Sequence, residues 1–422
     1  MLKQFVVVMP GILAPALLVM CLSVLLSVGE GKERPRSVHW RLWGVLVGFL
    51  SGAAFTVLRS LAIVNERTSF YFPLLICCVV LDAAMLVIAI RAHAIAQNWA
   101  THPMRIHLAN AIGALGIAAT MMYTLPDVLL QLTNFIEVNQ PVMTSAMLMR
   151  VLGFIVAVAT ACLVALVFKS MAKGAGHVAF QISAALFIAV LLCVHVTAFL
   201  RVGQAGILHI KGIWFRLLAW SINHLNTWSI VGALVFLVAV VACAINALRA
   251  RGATSNPAHD RARRAFRRRA WVTSAWSLLA MAVVGASLTL GVAKTNEVPV
   301  LSDPESYSLE NGVATIPFSQ VDDGHLHRFE YTAADGTQMR FIIIKKNGGA
   351  YGIGLDACEN CGPAGYYEKD GKIICKQCEV AINVATIGYE GGCNPIPFDY
   401  TNANNQITIN TSVLDELSIH FQ

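Results

Sequence analysis

Charge is scarce in this chain. Only 13% of its 422 residues are Asp, Glu, Lys or Arg, where an ordinary soluble domain carries about 25%. That shortage excludes a single soluble globular domain. With 56% hydrophobic residues and a mean hydropathy of +0.63, it points to a polytopic membrane protein. Acidic residues are the scarcer sign, 24 against 31 basic ones, and much of the excess sits in one stretch, Arg249–Arg269, with eight arginines and Asp260. Between two apolar runs, such a stretch is a topology signal before it is a nucleic-acid signal, so no nucleic-acid partner is expected. The sequence also lacks a Gly-rich phosphate loop, a Gly-x-Ser-x-Gly elbow and a His-Glu-x-x-His helix. Hydrolase and transferase constellations are therefore not expected, and an ordinary enzyme is the least expected class.

Long apolar runs are what the chain has instead. They predict about eight transmembrane helices: Phe5–Val28, Leu42–Val64, Phe70–Ile90, Leu108–Leu132, Met143–Phe168, Val178–Leu200, Trp228–Leu248 and Trp271–Ala293. The first has an apolar part of about 20 residues, longer than the core of a signal peptide, and reads as a retained helix. Pro126 predicts a kink in the fourth. Ile213–Ile222, with Trp214 and Trp220, reads as an amphipathic helix lying in the interface. Arg249–Arg269 reads as a cytoplasmic loop. Counting outward from it, Lys169 with Lys173, the Arg91–His107 connection and Lys32–Arg41 fall on the same side. The N-terminus and the C-terminal region then lie outside the cytoplasm.

Composition changes sharply after Ala293. The division expected is a transmembrane helical domain over residues 1–293 and a small extracytoplasmic, β-rich, cysteine-rich domain over residues 294–422. Within the latter, Gly312–Phe318, Leu326–Thr332, Gln338–Lys345 and Gln406–Asn410 read as strands. Turns are expected at Asp335-Gly336, Asn347-Gly348-Gly349, Asp370-Gly371 and Asn402–Asn405.

Ionisable residues in the apolar runs are costly in a bilayer and so are functional candidates. Arg59 and Glu66 share a face of the second helix, Asp82 lies midway along the third, and Asp127 sits beside the Pro126 kink. An Arg59–Asp82 ion pair is expected to make both tolerable. His195 and His224 toward one side, and His107 and His177 toward the other, are candidate haem ligands at two levels; an ordinary hydrogen-bonded role is the alternative for each. In the C-terminal region His325 and His327 stand two apart on a strand, a candidate metal pair or simply an exposed turn and strand.

The most informative stretch is Asp356–Pro397. Cys358 and Cys361 form one C-x-x-C, Cys375 and Cys378 a second, with thirteen residues between the pairs, and Cys393 follows inside Gly-Gly-Cys-Asn-Pro. Two such knuckles can present sulfurs tetrahedrally to Zn²⁺ or to an iron–sulfur centre. Two disulfides are the competing reading, with Cys393 left over. The remaining six cysteines, Cys21, Cys77, Cys78, Cys162, Cys193 and Cys243, lie in apolar runs and read as small hydrophobes.

The runs DGHLHRFEY, GTQMRFIIIKKNGGAYGIGLDACENCGPAGYYE and CKQCEVAINVATIGYEGGCNPIP closely resemble the membrane iron–sulfur FtrD-like family over about Phe318–Tyr400. The resemblance implies an iron–sulfur cofactor, with zinc as the alternative that spacing alone leaves open, at Cys358, Cys361, Cys375, Cys378 and Cys393. It implies a multi-pass protein of the bacterial inner membrane that handles electrons in an iron-uptake system. The implied partners are a high-affinity iron permease and periplasmic iron- or copper-binding proteins. A permease subunit or an assembly scaffold, with the C-terminal region a structural zinc module, is the alternative.

Overall fold

The structure is a computed structural model. It describes residues 1–29, 35–61, 63, 67–134, 143, 145–204, 208–251, 256–296, 300–346, 349–369 and 371–422. The expected positions Lys32, Arg34, Glu66, Asn347, Gly348 and Asp370 lie outside them. The chain divides into two compact units, Met1–Asn296 and Glu297–Gln422.

The first unit is helical. Among the described residues, eight helical spans are long and apolar enough to cross a membrane. In order the elements are α1 (Leu2–Leu25), α2 (Trp40–Ser60), α3 (Arg67–Gln97), α4 (Pro103–Leu129), α5 (Ser145–Ala175), α6 (His177–Gln204), α7 (Gly212–Asn223), α8 (Leu225–Leu234), α9 (Leu237–Arg249), α10 (Pro257–Ala286) and α11 (Val292–Thr295). The helix α1 is enclosed rather than peripheral: Val8, Met9, Leu18, Cys21 and Leu22 are fully buried in the bundle core. The seventh crossing is made by α8 and α9 together, broken at Val235-Phe236, where Phe236 buries its ring 4.7 Å from that of Phe168. The expected interfacial segment is the separate twelve-residue helix α7.

One expectation is corrected here. Most of the arginine-rich stretch is not a loop: Asn256 caps a helix by accepting from the Ala258 N–H at 2.9 Å, Pro257 fills its first position, and α10 carries Arg261 to Arg269 before entering its apolar part. Good N-terminal signals and a helix-forming Ala/Arg composition outweigh the charge, which a polar environment solvates.

Among its described residues the second unit has three small antiparallel sheets. One has the order β1 (Ser308–Glu310), β2 (Val313–Pro317), β10 (Gln406–Asn410), β9 (Thr401–Ala403). The central one is β3 (His327–Thr332), β4 (Gln338–Lys345), β5 (Tyr351–Leu355), and the third is β6 (Tyr366–Lys369), β7 (Lys372–Cys375), β8 (Ala381–Ile382). The strand periodicity explains how they layer. Phe341 and Ile343 of β4 pack into a core with Ile316, Ile407 and Ile409 of the first sheet. The alternate residues Ile342 and Ile344 pack into a second core with Cys358, Tyr366, Ile373 and Cys375. The central sheet is covered on both faces, and this is why Phe341–Ile344 is an unbroken apolar run.

Candidate metal centre

Both C-x-x-C segments fold into the same turn. In the first, the Gly362 N–H donates to the Cys358 carbonyl at 2.9 Å; in the second, the Glu379 N–H donates to the Cys375 carbonyl at 2.9 Å. The residue after each second cysteine is left-handed, Gly362 at φ 61° and Glu379 at φ 57°. Glycine takes that conformation freely and glutamate at a cost of about 1–2 kcal/mol, so the second knuckle holds its shape against a local preference. The turns aim backbone N–H groups at sulfur: Cys361 N–H donates to Cys358 Sγ at 3.3 Å.

The sulfurs form two triads that share Cys361. Cys358, Cys361 and Cys375 make one, Cys361, Cys378 and Cys393 the other, with the ligand atoms in each within 4.8 Å of one another. Cys358 and Cys375 are buried, Cys361 and Cys393 partly so, and Cys378 is exposed. Cys393 thus joins the cluster, with its sulfur 3.8 Å from that of Cys378. Among the described residues no disulfide links these cysteines. Burial pushes the thiols of Cys361 and Cys375 up, whereas the Val380 N–H holds Cys378 below the ordinary thiol range; Cys393, hydrogen-bonded to Cys378, is pushed up. The exposed sulfur is the readiest thiolate, and hence the readiest to meet a metal. An all-thiol donor set suits Zn²⁺, Cu⁺ and iron, and excludes Ca²⁺ and Mg²⁺ as fitting occupants.

A buried charge cluster that sequence reading missed anchors the first knuckle. Asp356, two residues before Cys358, is fully buried. It accepts from Arg328 Nε at 2.9 Å, Arg340 Nε at 3.0 Å and the Tyr366 N–H at 2.8 Å. Arg328, 1% exposed, donates its remaining N–H groups to Ser302 and to the Tyr366 carbonyl. The Tyr366 hydroxyl then donates to the Cys393 carbonyl at 2.7 Å. One tyrosine therefore links the charge cluster, β6 and the fifth cysteine. The sequence signal for it is an arginine beside Phe329 in a strand, with a second, Arg340, between Met339 and Phe341.

The other expected site residues are dispersed. His325 Nδ1 pairs with Glu368 at 3.0 Å, while His327 sits between Glu305 and Asp323, both at 2.8 Å. The two histidines thus have separate carboxylate partners and do not converge. The expected Arg59–Asp82 pair is not formed. Arg59 bonds Asp127 at 2.8 Å and Asp82 bonds His195 at 2.6 Å, because α2 packs its length on α4 while α3 packs on α6. His224 stacks on Trp220 and bonds its carbonyl, His107 bonds Ser37 at 2.8 Å, and His177 lies against His93. No metal-ligand group among the described residues includes any of these histidines.

No curated protein and no solved structure matches the chain. Residues 321–421, which carry the central sheet, both knuckles and Cys393, match the model of the family described as "Membrane iron-sulfur containing protein FtrD-like", the family that the sequence resembles.

Proposed function

We propose that this is a membrane redox component of a bacterial iron-uptake system, seated in the inner membrane, that passes single electrons through an iron centre held by the cysteines of the second unit. The observation that carries the reading is the pair of like-shaped knuckles bringing five thiols together in a region that matches an iron–sulfur family. Cys358, Cys361, Cys375 and Cys378 would hold the iron, and Cys393 stands beside Cys378 as a further thiol. Such a centre, when bound, supplies reversible one-electron chemistry. The protein's own residues bury one side of it, direct N–H groups at sulfur and keep Cys378 open to a partner; burial and N–H···S bonds are the levers that set potential.

The arginine-rich end of α10 belongs on the cytoplasmic side. Eight crossings return the chain to the side on which it began, so in this reading the cysteine unit faces the periplasm. There it would meet a high-affinity iron permease and periplasmic iron- or copper-binding proteins.

A second reading is favoured by the sulfur spacing. A single tetrahedral ion with metal–sulfur bonds of about 2.3 Å has edges of about 3.8 Å, and the sulfurs of Cys358, Cys361 and Cys375 lie within 4.8 Å of one another. This suits one ion, either a mononuclear iron or a structural Zn²⁺. Metal and acid-labile sulfide analysis of anaerobically purified full-length protein separates the cases. Iron that is lost in Cys358→Ser and Cys375→Ser supports the redox reading, and labile sulfide then distinguishes a cluster from a single iron. Stoichiometric zinc without iron overturns it in favour of a structural module on a permease subunit or scaffold.

A further inference from the structure

The bundle buries a charged pair that the cysteine centre does not use. Asp82 stands midway along α3 and His195 on α6, each 1% exposed, with Nδ1 to Oδ2 at 2.6 Å. The second carboxylate oxygen, Oδ1, is buried without a hydrogen-bond partner. A carboxylate at this depth is costly, and an unpartnered oxygen raises the cost. A structural ion pair would be expected to satisfy both oxygens. A group that must take on and release a proton keeps a place for it.

Two tyrosines stand in series beside the pair. The Tyr123 ring on α4 stands edge-on to His195, with centroids 5.4 Å apart, and the Tyr71 ring on α3 stands edge-on to Tyr123 at 5.8 Å. The Tyr71 hydroxyl accepts from Arg59 Nη1 at 3.3 Å. Arg59, its side chain 6% exposed, reaches Asp127, whose side chain is 71% exposed. Polar-tipped side chains from α2, α3, α4 and α6 thus lie in series between the exposed Asp127 and the middle of the bundle. Phe55, Leu75 and Ala198 pack around them. Cys78, one turn before Asp82, and Tyr123 are the other titratable groups beside the pair, and Arg201 and Asp127 act on Tyr123 from beyond it. The hydrogen-bonded partner that α7 brings to α6 is Ser221, on Thr197, and it does not titrate.

We infer that Asp82 and His195 form an internal proton-binding site that fills and empties from the Asp127–Arg59 end of the bundle by way of Tyr71 and Tyr123. With the one proton of the Nδ1–H···Oδ2 bond the pair carries a net charge of −1. A second proton, taken from solvent, brings it to zero, and its release restores −1. No electron or co-reactant is needed. The site stands whichever metal the cysteines hold, and a proton taken up here offsets one negative charge arriving in the membrane.

The test is infrared difference spectroscopy of full-length protein in lipid nanodiscs. A proton-exchangeable carboxyl or imidazole band that responds to the pH of the medium is expected, absent from Asp82→Asn and His195→Gln. Its exchange into heavy water should slow about tenfold in Tyr123→Phe and in Asp127→Asn. A wild-type band that does not titrate, or one retained in both dyad variants, overturns the site. Unchanged exchange in both Tyr123→Phe and Asp127→Asn overturns the route. Should the dyad variants not fold, ¹⁵N-histidine-labelled wild type decides: a His195 ring resonance that does not respond to the pH of the medium overturns the proposal, and one that responds upholds it.

Discussion

The cysteines do not stand alone in the second unit: Arg328 and Asp356 hold their platform. Removing one partner of a buried ion pair leaves the other uncompensated and costs about 3–5 kcal/mol. Asp356→Ala should therefore unfold the region around β6 and the first knuckle, seen as lost metal and a lowered denaturation midpoint. Asp356→Asn, which keeps the shape but not the charge, should lose less. His327 offers a pH test. Burial pulls its pKa down, but the hydrogen bonds that its ring donates to Asp323 and Glu305 outweigh burial and hold it above the ordinary value of 6.5. A histidine raised in the folded state stabilises fully below its unfolded pKa, and that contribution is lost as pH rises through the folded value. Melting temperature should thus fall as pH rises above the ordinary histidine value of 6.5, and the fall should shrink in His327→Gln. These roles were hard to read in advance. Cys358, Cys361, Cys375 and Cys378 declare themselves by spacing, but Arg328 and Asp356 are twenty-eight residues apart and meet only because β3 and the first knuckle share a layer. Pairing Arg59 with Asp82 failed for a related reason: position along a helix does not say which neighbour a side chain faces.

Elements were more legible where burial is simple. Gln338–Lys345 reads as a strand from its composition, and β4 has those bounds, since both faces are covered and no polar residue interrupts Phe341–Ile344. The packing of α2 on α4 was not anticipated. Gly44, Gly48 and Gly52 lie along one stripe of α2, and a side chain at Gly48 would meet Met121 Cβ at 2.8 Å and Ala118 Cα at 2.9 Å. Small residues at this spacing let two membrane helices touch backbone to backbone. Gly48→Leu should separate α2 from α4, weaken the Arg59–Asp127 contact and cost about 1–3 kcal/mol by overpacking, read as a lower melting temperature in detergent. The knuckle turn gives a gentler case. Gly362 is left-handed with nothing within 4 Å of a Cβ built on it. Gly362→Ala should therefore lose only the backbone term of about 1–2 kcal/mol, while the cysteine sulfurs stay in place.

At the scale of the molecule, a bundle of eight crossings and a small three-sheet unit follow from two kinds of pattern: apolar runs about 20 residues long, then alternation and turn signals. The arginine-rich stretch shows where pattern reading stops. Charge marks the side of the membrane, but capping by Asn256 and Pro257 decides that the stretch is helical. The central claim is that the cysteines of the second unit hold an iron that cycles between oxidation states. A potentiometric titration of the anaerobically purified full-length protein, followed by electron paramagnetic resonance, tests it most directly. The account predicts a reversible one-electron signal of protein-bound iron that disappears in Cys375→Ser and survives Asp82→Asn. A protein that is silent at every potential while its cysteines hold stoichiometric zinc would contradict it.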